Sequence, residues 1–83
     1  MTQPYGDLVE TITTVQFTPV RLHEGYDMAE VDDLLDRIVA ALGRGEPVLA
    51  LIDGARLGRV RLREGYDVGE VDAFLTALRG RVG

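Results

Sequence analysis

The 83-residue chain carries nine basic and 14 acidic side chains, a formal net charge of −5, and no cysteine. Without cysteine there are no disulfides and no thiolate metal sites, and the acidic balance speaks against gripping a polyanion. Lys, Ser, Asn and Trp are also absent, and no apolar run approaches the roughly 18 residues that argue for a membrane span.

Residues 1–6 read as a loosely ordered leader, with neither the basic region nor the apolar core of a signal peptide. From Asp7 to about Val15, Leu8, Val9 and Ile12 recur on one side, which predicts a short one-faced helix. Phe17 to Glu24 is a connector. Pro19 disfavours helix at Thr18, and Val20-Arg21-Leu22 leaves room for a strand of two or three residues at most. Gly25-Tyr26-Asp27 then opens a longer helix. Asp27 followed by Glu30 makes a capping box, in which the Asp carboxylate accepts from the N3 amide and the Glu carboxylate reaches back to the Asp amide. Tyr26 and Val31 complete it as a hydrophobic staple. Gly25 is expected to supply a backbone conformation that a side chain resists. The helix runs to about Leu42, with Val31, Leu34, Leu35, Ile38, Val39 and Leu42 on its apolar face and Asp32, Asp33 and Asp36 opposite. Gly43 and Gly45 stop it, and Gly43-Arg44-Gly45-Glu46 reads as a hinge.

After the hinge the same series returns at an offset of 40 residues. VRLHEGYDMAEVDDLLDRI (Val20–Ile38) and VRLREGYDVGEVDAFLTAL (Val60–Leu78) agree at 11 of 19 positions. A period of this size marks one supersecondary unit used twice. Pro47 suits a first helical position; Val48, Leu49 and Ile52 match Leu8, Val9 and Ile12, with Asp53-Gly54 as the stop. Leu57 to Glu64 is the second connector, again with a candidate strand at Val60-Arg61-Leu62. Gly65, Tyr66, Asp67, Glu70 and Val71 repeat the cap and staple, and removing either capping Asp is expected to cost about 1 kcal/mol. The last helix is predicted from Val68 to Leu78 or Arg79, with Val71, Phe74, Leu75 and Leu78 inward and Gly80 as its stop. The expected fold is therefore all-α: two helix–connector–helix repeats, residues 1–43 and 44–83, packed as a small helical domain with room for very short strands in the connectors. Leu34, Leu35, Ile38, Leu42, Phe74, Leu75 and Leu78 form the predicted association face. Forty residues is near the lower limit for independent folding, so the repeats are expected to pair, within one chain or between two. Their charge differs: residues 1–43 hold eight acids and two Arg, a balance of −6, and residues 44–83 hold six acids and seven Arg, a balance of +1.

Little here could carry catalysis. His23 is the only His, and its counterpart is Arg63, so an exposed loop position is the economical reading. No Ser or Cys nucleophile and no phosphate-binding glycine loop is present. The acidic run Asp27, Glu30, Asp32, Asp33, Asp36 lacks the alternating ligands and central Gly of a calcium loop. No enzyme activity, metal or cofactor is expected. The strip Arg56, Arg59, Arg61, Arg63 is too small a basic face to predict nucleic-acid binding. Arg21, His23, Arg61 and Arg63 are the connector residues placed to meet a partner or a membrane.

The string F-x-P-x-x-x-x-x-G-Y-D-x-x-E-V-D-x-x-L, from Phe17 to Leu35 and in altered form to Leu75, resembles the N-terminal domain of the DivIVA family. These are bacterial scaffold proteins of cell division and polar growth. The resemblance spans Ile12–Ile38 and Ile52–Leu78, and places Gly25, Tyr26, Asp27, Glu30, Val31, Leu35 and their copies at the family's helix start and core. It implies a short helix, a loop and a longer helix, paired as a parallel dimer with crossed loops. It also implies loop tips that touch curved anionic membrane through an apolar and a basic residue. Here His23-Glu24 and Arg63-Glu64 put an acid beside the cation, and within these 83 residues no long coiled coil is expected. The functional expectation is a non-enzymatic, cytoplasmic scaffold or interaction module that self-associates and meets a cell-division or envelope protein. Peripheral contact with the inner membrane face is the alternative, and a small regulator docking on nucleic acid through the Arg56–Arg63 strip ranks third.

Overall fold

Strands too short to show any alternation tie the two repeats together. The computed structural model describes residues 6–82. In chain order it contains helix α1 (Gly6–Thr14), strands β1 (Pro19–Val20) and β2 (Gly25–Tyr26), helix α2 (Met28–Gly43), helix α3 (Leu49–Asp53), strands β3 (Arg59–Val60) and β4 (Gly65–Asp67), and helix α4 (Val68–Val82). The second half repeats the first element for element. The expected leader, apart from Gly6, lies outside the described residues.

The all-α expectation is overturned. The four strands form one antiparallel sheet in the order β1-β4-β2-β3, which makes the protein a mixed α+β fold. No strand pairs with the other strand of its own repeat. Pro19 lies opposite Tyr66 and Val20 opposite Gly65; Gly25 lies opposite Val60 and Tyr26 opposite Arg59. At the centre Tyr26 faces Tyr66 across the β2–β4 pair. Each connector thus leaves its own repeat, borders the other, and returns on the far side of a foreign strand. Arg21 and Leu22, expected within a strand, instead form the bend between β1 and β2. Ladders of two or three residues have no detectable period, and their partners lie about 40 positions away.

The helices follow the expected apolar stripes. Leu8, Ile12, Val31, Leu34, Leu35, Ile38, Ala41, Leu42, Val48, Ile52, Val71 and Leu78 form one buried cluster with Tyr26. Helix α1 packs on α2, and α3 packs on both α2 and α4. The cover is unequal, because α1 has nine residues and α3 five. Leu34, Leu35, Ile38 and Leu42 are buried accordingly, while Phe74 and Leu75 stay half-buried. Phe74 is held edge-on against Phe17 of the first repeat, ring centres 5.6 Å apart.

Helix ends differ from expectation in two places. Pro47 does not begin α3; Val48 occupies the N-cap without a side-chain hydrogen bond, and the helix starts at Leu49. Gly80 does not stop α4, which continues to Val82. Elsewhere the signals hold. Helix α2 ends at Gly43 and Gly45 adopts a φ of +70°, the left-handed conformation glycine accepts without penalty.

Candidate functional site: the crossed connectors and their tips

The G-Y-D-x-x-E-V-D motif opens a helix and also builds the joint between repeats. Asp27 caps α2 as expected, accepting from the Glu30 amide at 3.0 Å, and Asp67 accepts from the Glu70 amide at 2.9 Å. The second half of each capping box is not made. The Asp27 amide donates to the Gly58 carbonyl and the Asp67 amide to the Thr18 carbonyl, each in the opposite repeat. Glu30 and Glu70 are freed by this exchange and clamp the foreign connector. The Gly58 amide donates to Glu30 at 2.5 Å, and the Thr18 amide and hydroxyl donate to Glu70 at 2.7 and 2.9 Å. Sequence spacing pointed to a local box because both geometries need a Glu at the same position.

The tyrosines also reach across. Tyr26 is buried in the core with Val31, yet its hydroxyl donates to Asp72 at 2.6 Å; the Tyr66 hydroxyl donates to Asp32 at 2.9 Å. The hydrogen bond to Asp72, then burial, raise the Tyr26 phenol above its usual range, because an adjacent carboxylate disfavours a phenolate. For Tyr66 burial is the larger cause and Asp32 the second. Asp32, expected only on the solvated face of α2, and its copy Asp72 are therefore part of the joint. Their identity in the two copies was the available signal.

Gly25 and Gly65 are needed for a different reason from the one expected. Their φ values lie outside the left-handed region; what they provide is room at the central strand pair. A Cβ at Gly65 would sit 2.7 Å from the Tyr26 carbonyl oxygen, and one at Gly25 would sit 3.0 Å from that of Tyr66. Neither backbone oxygen can move without unpicking the sheet.

Charges from the second connector meet acids of the first. Arg59 donates to Glu24 at 2.7 Å and lies over the Tyr26 ring, its guanidinium carbon 5.5 Å from the centroid. Arg61 approaches Glu24 at 3.7 Å, and Arg63 pairs with Asp27 at 3.0 Å. The Arg59 hydrogen bond is the main cause holding the Glu24 carboxyl below its ordinary value. Of the expected partner-facing residues, Arg61 and Arg63 are thus internally paired. Arg21 and His23 form no ion pair among the described residues.

The connector tips carry what sequence reading passed over. Leu22 is 85% exposed and Leu62 83%, and they are the exposed large hydrophobics of the described chain. Leu62 has a φ of +68°, a left-handed conformation that costs a branched side chain about 1–2 kcal/mol. The fold draws no packing from either leucine. Each stands at the end of a candidate two- or three-residue strand in the sequence, a segment too short for a period to reveal its exposure. Away from these tips, open depressions beside α2 and α4 are lined by mixed polar and apolar side chains such as Glu30, Leu57 and Asp72, and among the described residues no three potential metal ligands converge.

In comparisons with known proteins, no family model matches the chain, and no curated protein or solved structure matches it either.

Proposed function

We propose that the chain is a non-enzymatic interaction module of the DivIVA type, a cytoplasmic scaffold element linked to bacterial cell division or polar growth. The observation that supports this reading is the interlaced strand order β1-β4-β2-β3. It puts two copies of one motif across a pseudo-two-fold axis with their connectors crossed, the arrangement the sequence resemblance implies for a dimer. A fluorescent fusion in the native cell tests it. Enrichment at division septa or poles is expected, and an even distribution overturns the reading.

Contact with a membrane is a second reading, favoured by the exposure of Leu22 and Leu62 beside Arg21. No helix among the described residues is long and apolar enough to cross a bilayer, so contact would be peripheral. Each unpaired cation near an anionic surface adds about 1 kcal/mol. Here Glu24 and Asp27 already hold Arg59, Arg61 and Arg63, and the whole chain is acidic. Flotation with phosphatidylglycerol vesicles at low salt separates the readings. Binding that disappears in Leu22→Glu/Leu62→Glu supports the membrane; no binding by the unaltered protein removes it.

A further inference from the structure

We propose that a second copy of this chain is itself a binding partner, taken up by reciprocal exchange. The first repeat of one copy would close on the second repeat of the other across the same interlaced sheet, in both directions. This goes beyond the scaffold reading and is independent of whatever the loop tips bind.

Three observations carry it. Among the described residues every strand ladder joins one repeat to the other, and none lies within a repeat. The clamps from Glu30 and Glu70 and the tyrosine–aspartate bonds likewise all run between repeats. The joint therefore uses no contact that depends on the two halves sharing a chain. The only covalent link is the segment after α2. It is exposed from Gly43 to Pro47, turns at Gly45 in a left-handed conformation, and is held by backbone bonds from Arg44, Gly45 and Glu46 to the α2 terminus and by the open Arg44–Glu46 pair. Opening it sacrifices little that a swapped partner would not restore, the condition under which exchange of an identical element is a low-cost route to a dimer.

Charge sets the direction of exchange. The first repeat carries −6 and the second +1. Pairing first with second brings opposite balances together, whereas pairing first with first sets two strongly acidic units side by side. The visible contacts agree in direction, since Arg59, Arg61 and Arg63 of the second repeat all engage Glu24 or Asp27 of the first. These pairs are exposed and individually weak. Reversing one side, however, turns attraction into repulsion, and specificity follows from that difference.

The test uses two full-length variants. Glu24→Arg places a cation against Arg59 and Arg61; Arg59→Glu/Arg61→Glu places acids against Glu24. Each variant alone is mismatched, both when closed on itself and when swapped with its own kind. A mixed swapped dimer is matched at both joints. The variants are mixed, partly unfolded, refolded and weighed by native mass spectrometry, with circular dichroism confirming that each one folds. The expected result is a mixed dimer of twice the 9.1 kDa chain mass, in excess over either homodimer by about tenfold, the ratio that 1.4 kcal/mol corresponds to, and declining as salt is raised. A mixture that remains monomeric, or homodimers as abundant as the mixed species, would overturn the proposal. A second measurement leaves the joint unaltered. Isotopically heavy and light wild-type chains refolded together at about millimolar concentration, the range of intrachain effective concentration, should yield dimers of intermediate mass. Their absence is equally decisive against exchange.

Discussion

At the scale of single residues, the repeated motif serves two purposes with one set of side chains. Asp27 and Asp67 act locally as caps, while Tyr26, Tyr66, Glu30 and Glu70 act across the joint. The tyrosine bonds predict an alkaline limit. Both phenols are raised above 10.0 in the folded protein, so their contribution is fully present below pH 10 and is lost as pH rises through the folded value. Thermal stability followed by circular dichroism should fall above pH 10, and Tyr26→Phe/Tyr66→Phe should flatten that fall while lowering stability at neutral pH. An unchanged alkaline slope in the double variant would show that the hydroxyls do not hold the repeats. The roles of these side chains were half legible. A Tyr before a capping Asp reads as a staple whether or not its hydroxyl bonds elsewhere, since a hydroxyl leaves no trace in hydrophobic periodicity.

At the scale of elements, helices were readable and the sheet was not. Helix α2 runs from a capped start to a glycine stop, and its buried residues are those the 3.6-residue period selects. Helix α4 overran its predicted end because Gly80 sits in an exposed last turn where nothing forces a reversal, and the described chain continues helically to Val82. A Cβ at Gly80 would meet no atom within 4 Å. Gly80→Ala should therefore raise stability by about 0.5–1 kcal/mol, read as a higher denaturant midpoint with unchanged slope. A lower midpoint would mean the glycine has a partner-facing or conformational role. Val20 and Val60 stood in candidate strands, but β2, β4 and the pairing between repeats had no such signal. Pro19-Val20 and Arg59-Val60 become strands only because Tyr66-Gly65 and Tyr26-Gly25 stand beside them.

For the whole molecule, the interlaced sheet makes the repeats one cooperative body. Neither half keeps a strand pair when the other is removed, and Phe17 reaches from one repeat to stack on Tyr66 and Phe74 of the other. Unfolding should accordingly be a single transition, with helix content at 222 nm and tyrosine fluorescence changing together. Two separated transitions would mean that the repeats fold as independent units. The unequal burial of Phe74 and Leu75 against Leu34 and Leu35 shows that the symmetry is approximate in packing as well as in charge.

By itself the sequence determined the duplication, the capped starts of α2 and α4, the apolar stripes and the contrast in charge between the halves. The caps and stripes rest on residues within a turn or two of one another, and the duplication and charge contrast are properties of composition and order that need no spatial neighbour. Tertiary structure alone decided that the connectors cross, that the Glu30 and Glu70 side chains turn from their own helix starts to clamp the other repeat, that Gly25 and Gly65 are required for space, and that Leu22 and Leu62 are exposed to solvent. Each of these depends on a neighbour about 40 residues distant, or on the lack of one, and chain order carries no record of that proximity.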